Sequence, residues 1–145
     1  MIDSATIELL AARAHIADVV HRYAQIIRTG NIAECTTLFT PDATFEVREA
    51  TPGDASSLRT RSKVSGHDAI LEYVGKSAAA ASVCPLIHNL LIDVNGSEAT
   101  SSALMTAVML NTGQTLLGEY HDTFRNAGGA WRFSARVYTI FRPRS

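Results

Sequence analysis

The chain has 145 residues, of which 46% are hydrophobic and 19% charged. That length fits one domain over residues 1–145 and leaves little room for a second, and the apolar share excludes global disorder. The net charge is −1, from 13 Lys+Arg against 14 Asp+Glu, which argues against a nucleic-acid partner, because such binding needs several phosphates neutralised at once.

The two basic clusters, Arg59, Arg61 and Lys63, and the tail pair Arg142 and Arg144, read as a solvated loop and a solvated tail. Cys35 and Cys84 make neither a disulfide scaffold nor a metal framework and read as buried free thiols. Asp3 and Glu8 precede any apolar run, so no signal peptide is visible and a cytoplasmic location is the expectation. Residues 99–118 carry no charge over a span long enough for a membrane. Scattered Ser, Thr, Asn and Gln, and a turn at Asn111-Thr112-Gly113, make two sheet strands the better reading and leave no membrane partner.

In chain order, Ser4 reads as the cap of a first helix, with Glu8 in its opening turns. Ile16, Val19, Val20, Tyr23 and Ile27 follow the i, i+3, i+4, i+7 pattern, and Gly30-Asn31 ends the helix. A short second helix carries Ile32, Cys35, Leu38 and Phe39, and Thr40-Pro41-Asp42 closes it. Ala43–Glu49 alternates as a strand, with Phe45 and Val47 on one side and Glu46 on the other. Residues 50–64, rich in Ser, Thr, Gly and Pro, read as a loop or flap. Gly66-His67-Asp68 opens a third helix. Four strands follow, Leu86–Val94, Glu98–Leu110, Thr115–Arg125 and Trp131–Arg142, with hairpin turns at Asn95-Gly96 and Asn126–Gly129. Helices followed by a strand meander give an α+β class, with helices on one face of a mostly antiparallel sheet.

Several landmarks in this order resemble the SnoaL-like group of the nuclear transport factor 2-like superfamily, whose members include polyketide cyclases, scytalone dehydratase and hexachlorocyclohexane dehydrochlorinase. They are Tyr23-Ala24 late in the first helix, Gly30-Asn31, Leu38 to Ala43, Gly66 to Ile70, His88-Asn89, Gly118 to Asp122 and Trp131 to Arg136. The resemblance spans essentially the whole chain. It implies a cone in which a curved sheet wraps three N-terminal helices and a deep apolar cavity, with no cofactor, no metal and a homodimer or homotrimer.

Strand alternation puts His88 on a face with Leu86, Leu90, Ile92 and Val94. A desolvated imidazole there stays neutral near pH 7 and is able to accept a proton; the other reading is a core histidine bonded to a backbone carbonyl. The resemblance matches His88 to the catalytic histidine of the dehydrochlorinase and related dehydratases. Those enzymes pair it with an aspartate near the end of the first helix, where this chain has Arg28. Arg28 is either beside His88, disfavouring its protonation, or an exposed helix-end cation.

Asp122 shares a face with Leu116, Gly118, Tyr120 and Phe124 and is the replacement acid. Arg136 matches an inward arginine of the dehydrochlorinase, and Asp122–Arg136 reads as a structural ion pair or as an oxyanion-stabilising group. Phe45, Val47, Leu90, Met105, Ala107 and Tyr120 are the expected cavity wall. Tyr23 is either a phenol donor to a substrate carbonyl or a packed interface tyrosine. His15, His21, His67 and His121 lack metal-site spacing, and Glu46 and Glu119 read as exposed or interfacial. The expected function is a cofactor-free lyase or isomerase, dehydratase- or cyclase-like, acting on a small hydrophobic molecule with His88 as general base. The alternative is a non-catalytic small-molecule-binding or accessory domain of the same fold.

Overall fold

In a computed structural model, residues 1–141 are described, without the side chains of residues 55, 80 and 81. The tail cations Arg142 and Arg144 lie outside the described residues.

Helix α1 (Ser4–Thr29) starts one residue later than its cap: the Oδ1 of Asp3, not Ser4, accepts the Thr6 N–H at 2.7 Å. It stops at Gly30, whose φ of 84° is the left-handed conformation that glycine adopts without strain. Ile16, Val19, Val20, Tyr23, Ile26 and Ile27 form its buried stripe. Burying such a side chain is worth roughly 1.5–3 kcal/mol, so packing against the sheet, rather than intrinsic propensity, holds this helix. The short second helix is a 3-10 segment over Ile32–Thr37 with Cys35 buried in it. Helix α2 (His67–Ala81) is anchored at its start, where His67 Nε2 and the Phe39 carbonyl are 2.9 Å apart.

Six strands form one curved, unclosed sheet: β1 (Phe39–Thr51), β2 (Asp54–Ser65), β3 (Val83–Asn95), β4 (Glu98–Met109), β5 (Thr115–Ala127) and β6 (Ala130–Ile140). Their order is β2-β1-β6-β5-β4-β3. Every neighbouring pair is antiparallel except β1 with β6. The architecture is the expected α+β arrangement. Two local expectations are corrected. Residues 50–64 are not a loop but the tight β1–β2 hairpin and most of β2, because the polar side chains there sit on an edge strand with one wet face. Thr40-Pro41-Asp42 does not close a helix; it belongs to the irregular start of β1, where the register to β6 slips between Phe39 and Thr44.

Three β-bulges decide which side chains face inward. In β2, Val47 pairs with Ser62 but Arg48 with Thr60, so Arg61 is the extra residue. In β3, His88 pairs with Leu104 but Leu91 with Ser102, and Asn89 takes a φ of 51°. In β6, Thr123 pairs with Ala135 but Phe124 with Phe133, which leaves Ser134 unpaired. One extra residue reverses the alternation of everything beyond it.

Candidate functional site

The concave side of the sheet, α1 and α2 enclose an apolar cavity of about 250 Å³. Its wall is built by the alternating inward residues of the strands: Phe45 and Val47 from β1, Met105 and Ala107 from β4, Leu116 and Tyr120 from β5, and Tyr138 and Ile140 from β6. Val83 and Pro85 are the contributions of β3. Helix α1 supplies Tyr23 and Ile27, and α2 supplies Tyr73, Val74, Ser77 and Ala78. Among the described residues Arg61 is the sole charged side chain of the lining.

Asp122 and Arg136 face each other across the β5–β6 ladder. Arg136 Nε donates to Asp122 Oδ1 at 3.0 Å, and Nη2 donates to Oδ2 at 3.3 Å. The Arg136 carbon Cζ lies 3.5 Å from the Tyr120 ring centroid, 4.4 Å from that of Tyr23 and 4.5 Å from that of Phe133. The pair is therefore roofed by the two tyrosines that line the cavity and is not itself part of the wall. Burial pushes the Asp122 carboxyl up to about 6, with Arg136 pulling in the opposite direction. Burial works against the Arg136 charge too, yet Asp122, Tyr120 and Tyr23 more than offset it, so the guanidinium stays charged. Burial raises the pKa values of Tyr23, Tyr120 and Tyr138, which keeps these phenols protonated as hydrogen-bond donors.

Two buried polar atoms have no hydrogen-bond partner among the described residues, Arg136 Nη1 and Tyr138 Oη. The aromatic faces around Arg136 compensate its charge in part. Tyr138 leans over Gly118: a Cβ built on that glycine would lie 2.2 Å from the Tyr138 ring. The absent side chain at 118 is what lets the phenol lie flat along the wall.

Of the residues expected in the site, Tyr23, Phe45, Val47, Met105, Ala107 and Tyr120 line the cavity. Leu90 is half-buried against the core but outside the cavity wall. Arg28 is exposed in the last turn of α1, where a cation faces the negative end of the helix dipole, and it does not reach the cavity.

His88 is the main correction. It does not share a face with Leu90, Ile92 and Val94. Those three pack inward, whereas His88 is exposed and its Nε2 lies 3.1 Å from Thr106 Oγ1. The bulge beside it, with Asn89 at positive φ, flips the alternation within two residues. Glu46, expected to be exposed, is outward-facing but covered by Arg48 and Thr60. Of the two thiols, Cys35 is fully buried and Cys84 only half-buried. Among the described residues no group of three His, Cys, Asp or Glu side chains is placed to hold a metal ion, and no helix is long and apolar enough to cross a membrane.

Missing from the sequence reading were Arg61, Tyr73, Pro85 and Tyr138. Tyr138 and Ile140 were accessible as the i+2 and i+4 neighbours of Arg136 on one strand face. Arg61 carries no such signal, because it is the bulge residue itself.

This geometry has relatives. The family model for the SnoaL-like domain matches residues 8–137. The chain belongs to the SnoaL-like family. Similar solved structures include an NTF2-like protein with a cystatin-like fold from Novosphingobium aromaticivorans, 18% identical with a TM-score of 0.80, over 98% of this SnoaL-like chain and 90% of that one. A Mycobacterium tuberculosis protein of unknown function, solved as a point variant, is 24% identical with a TM-score of 0.75, over 95% and 76%. A candidate scytalone dehydratase from N. aromaticivorans is 21% identical with a TM-score of 0.73, over 97% and 94%. At these identities the likeness speaks for the fold. No curated protein matches the chain.

Proposed function

We propose that this SnoaL-like protein binds a small, largely apolar molecule of one- or two-ring size inside the cone cavity. The observation that carries the reading is the cavity's composition. Its wall is mostly aliphatic and aromatic, and among the described residues the lining holds no carboxylate, histidine or cysteine. A site with a few polar groups on an apolar wall suits recognition by shape. The test is calorimetric titration with 1-naphthol of the native protein and of Ala107→Phe, which fills the cavity from a wall position. Saturable binding that the filled variant loses, with its melting temperature within a few degrees of native, supports the reading. Equal binding by both proteins overturns it.

One observation favours a second reading, a cofactor-free lyase or isomerase. The protonated phenols of Tyr23 and Tyr120 rest on the Arg136 guanidinium, an arrangement suited to polarising a carbonyl. The candidate scytalone dehydratase points the same way at the level of the family. His88 is on the opposite face of the sheet from such a carbonyl and Asp122 is sealed behind the two tyrosines, so in this reading the proton is exchanged with solvent and Asp122 acts through Arg136, which it holds under the phenols. Deuterium exchange into 2-tetralone that falls in Tyr120→Phe and Asp122→Asn but not in His88→Gln would carry it. Exchange at the uncatalysed rate would end it.

A further inference from the structure

Resting on the cavity reading above, we propose that the ligand is a small carboxylic acid: an apolar ring system seated in the cavity with its carboxylate held by Arg61 at the rim. Three observations meet at this residue.

First, Arg61 is aimed there by the backbone. It is the extra residue of the β2 bulge, between Ser62 opposite Val47 and Thr60 opposite Arg48. Thr60 turns to the convex side, where it bonds Glu46, while Arg61 joins Val47 in the cavity lining. Bulges that re-aim one side chain recur beside functional sites.

Second, Arg61 is the cation of this strand left over by the local pairing. Arg59 is paired with Glu49 at 2.9 Å, and Lys63 lies close enough to Glu46 to help lower its pKa. Among the described residues no carboxylate pairs with Arg61.

Third, the rest of the wall is apolar, with the tyrosine phenols protonated and uncharged. Among the described residues of the wall, an anion would therefore find its counter-charge at Arg61 alone. Arg61 is exposed while its side chain borders the cavity. An arginine stem lies along apolar surface while its fork stays in water, and that fork matches the two oxygens of a carboxylate.

The experiment compares 2-naphthoate with the uncharged 2-naphthamide by calorimetry at low salt, on the native protein, Arg61→Gln and Lys63→Gln. The last removes the same charge from the same strand on the side facing Glu46. The native protein is expected to prefer the carboxylate by about five-fold or more, as for a partly exposed charge-assisted pair. Arg61→Gln is expected to abolish the preference while its affinity for the amide is unchanged, and Lys63→Gln to keep it. Rising salt should erode the preference. Amide binding with no carboxylate preference, or a preference that survives Arg61→Gln, overturns the assignment and leaves the cavity reading standing. Failure of both probes to bind overturns the two together.

Discussion

Arg136 and Asp122 form a two-pronged ion pair from which solvent is excluded: their side chains are 0% and 1% exposed. They meet because the bulge at Ser134 resets the β6 alternation, so that Arg136 faces the same interior as Trp131 and Phe133. Removing one partner leaves an uncompensated buried charge. Arg136→Met is expected to destabilise the fold by about 3–5 kcal/mol. The double variant Asp122→Leu with Arg136→Met should recover most of that loss, since apolar replacement of a buried pair is often nearly neutral. Urea denaturation of the three proteins checks this, and a double variant no more stable than the single one would contradict it.

The same pair sets a pH dependence of uncommon sign. Burial raises the Asp122 carboxyl from its ordinary 3.8 to about 6. Between those values the folded state holds more protons than the unfolded state, so this group's contribution to stability falls as pH rises from about 4 to about 6 and is flat above. Asp42 and Glu46 behave in the opposite way. Hydrogen bonds from Thr40 and Arg48 respectively are the largest causes lowering their pKa values, so their contribution is lost below about pH 4. The windows separate. Stability of the native protein relative to Asp122→Asn should drop between pH 4.5 and 6.5, as read by urea midpoints at each pH.

Gly118 and Tyr138 are coupled by space. Gly118→Ala places a methyl group 2.2 Å from the Tyr138 ring, which forces the phenol into the cavity or strains β6. Overpacking of this kind costs roughly 1–3 kcal/mol. Gly118→Ala combined with Tyr138→Leu should restore most of the stability, and Tyr138→Phe alone should be neutral or slightly stabilising because it removes a buried hydroxyl that has no partner among the described residues. Thermal melts of the three variants test the set.

His88 makes one exposed hydrogen bond, to Thr106. His88→Gln is therefore expected to change stability by less than about 0.5 kcal/mol and to leave 1-naphthol affinity unaltered. A loss of binding in this variant, measured by the same calorimetry, would mean that the convex face takes part in the site.

The contrast between His88 and Tyr120 shows what was legible in the chain and what was not. Tyr120 lies in a strand without a bulge of its own, so period-two alternation from Leu116 to Phe124 assigns its face correctly. The buried stripe of α1, the Gly30 stop and the Gly128-Gly129 turn were readable for the same reason: each follows from a local rule with no long-range exception. His88, Arg61 and Arg136 each sit at or near a bulge. A bulge is fixed by pairing with a distant strand, and nothing local in Thr60-Arg61-Ser62 or His88-Asn89 announces it. Face assignments beyond a bulge invert together, which is why a single extra residue moved the expected base to the outside of the sheet.

The cavity as the ligand site is tested most directly by the protein's three methionines. Met105 and Met109 line the cavity, whereas Met1 is fully exposed and outside the lining. With [13C]methyl-methionine labelling, titration with 1-naphthol should shift and saturate the Met105 and Met109 methyl resonances while Met1 stays fixed. Saturable binding that leaves Met105 and Met109 unmoved would contradict the account.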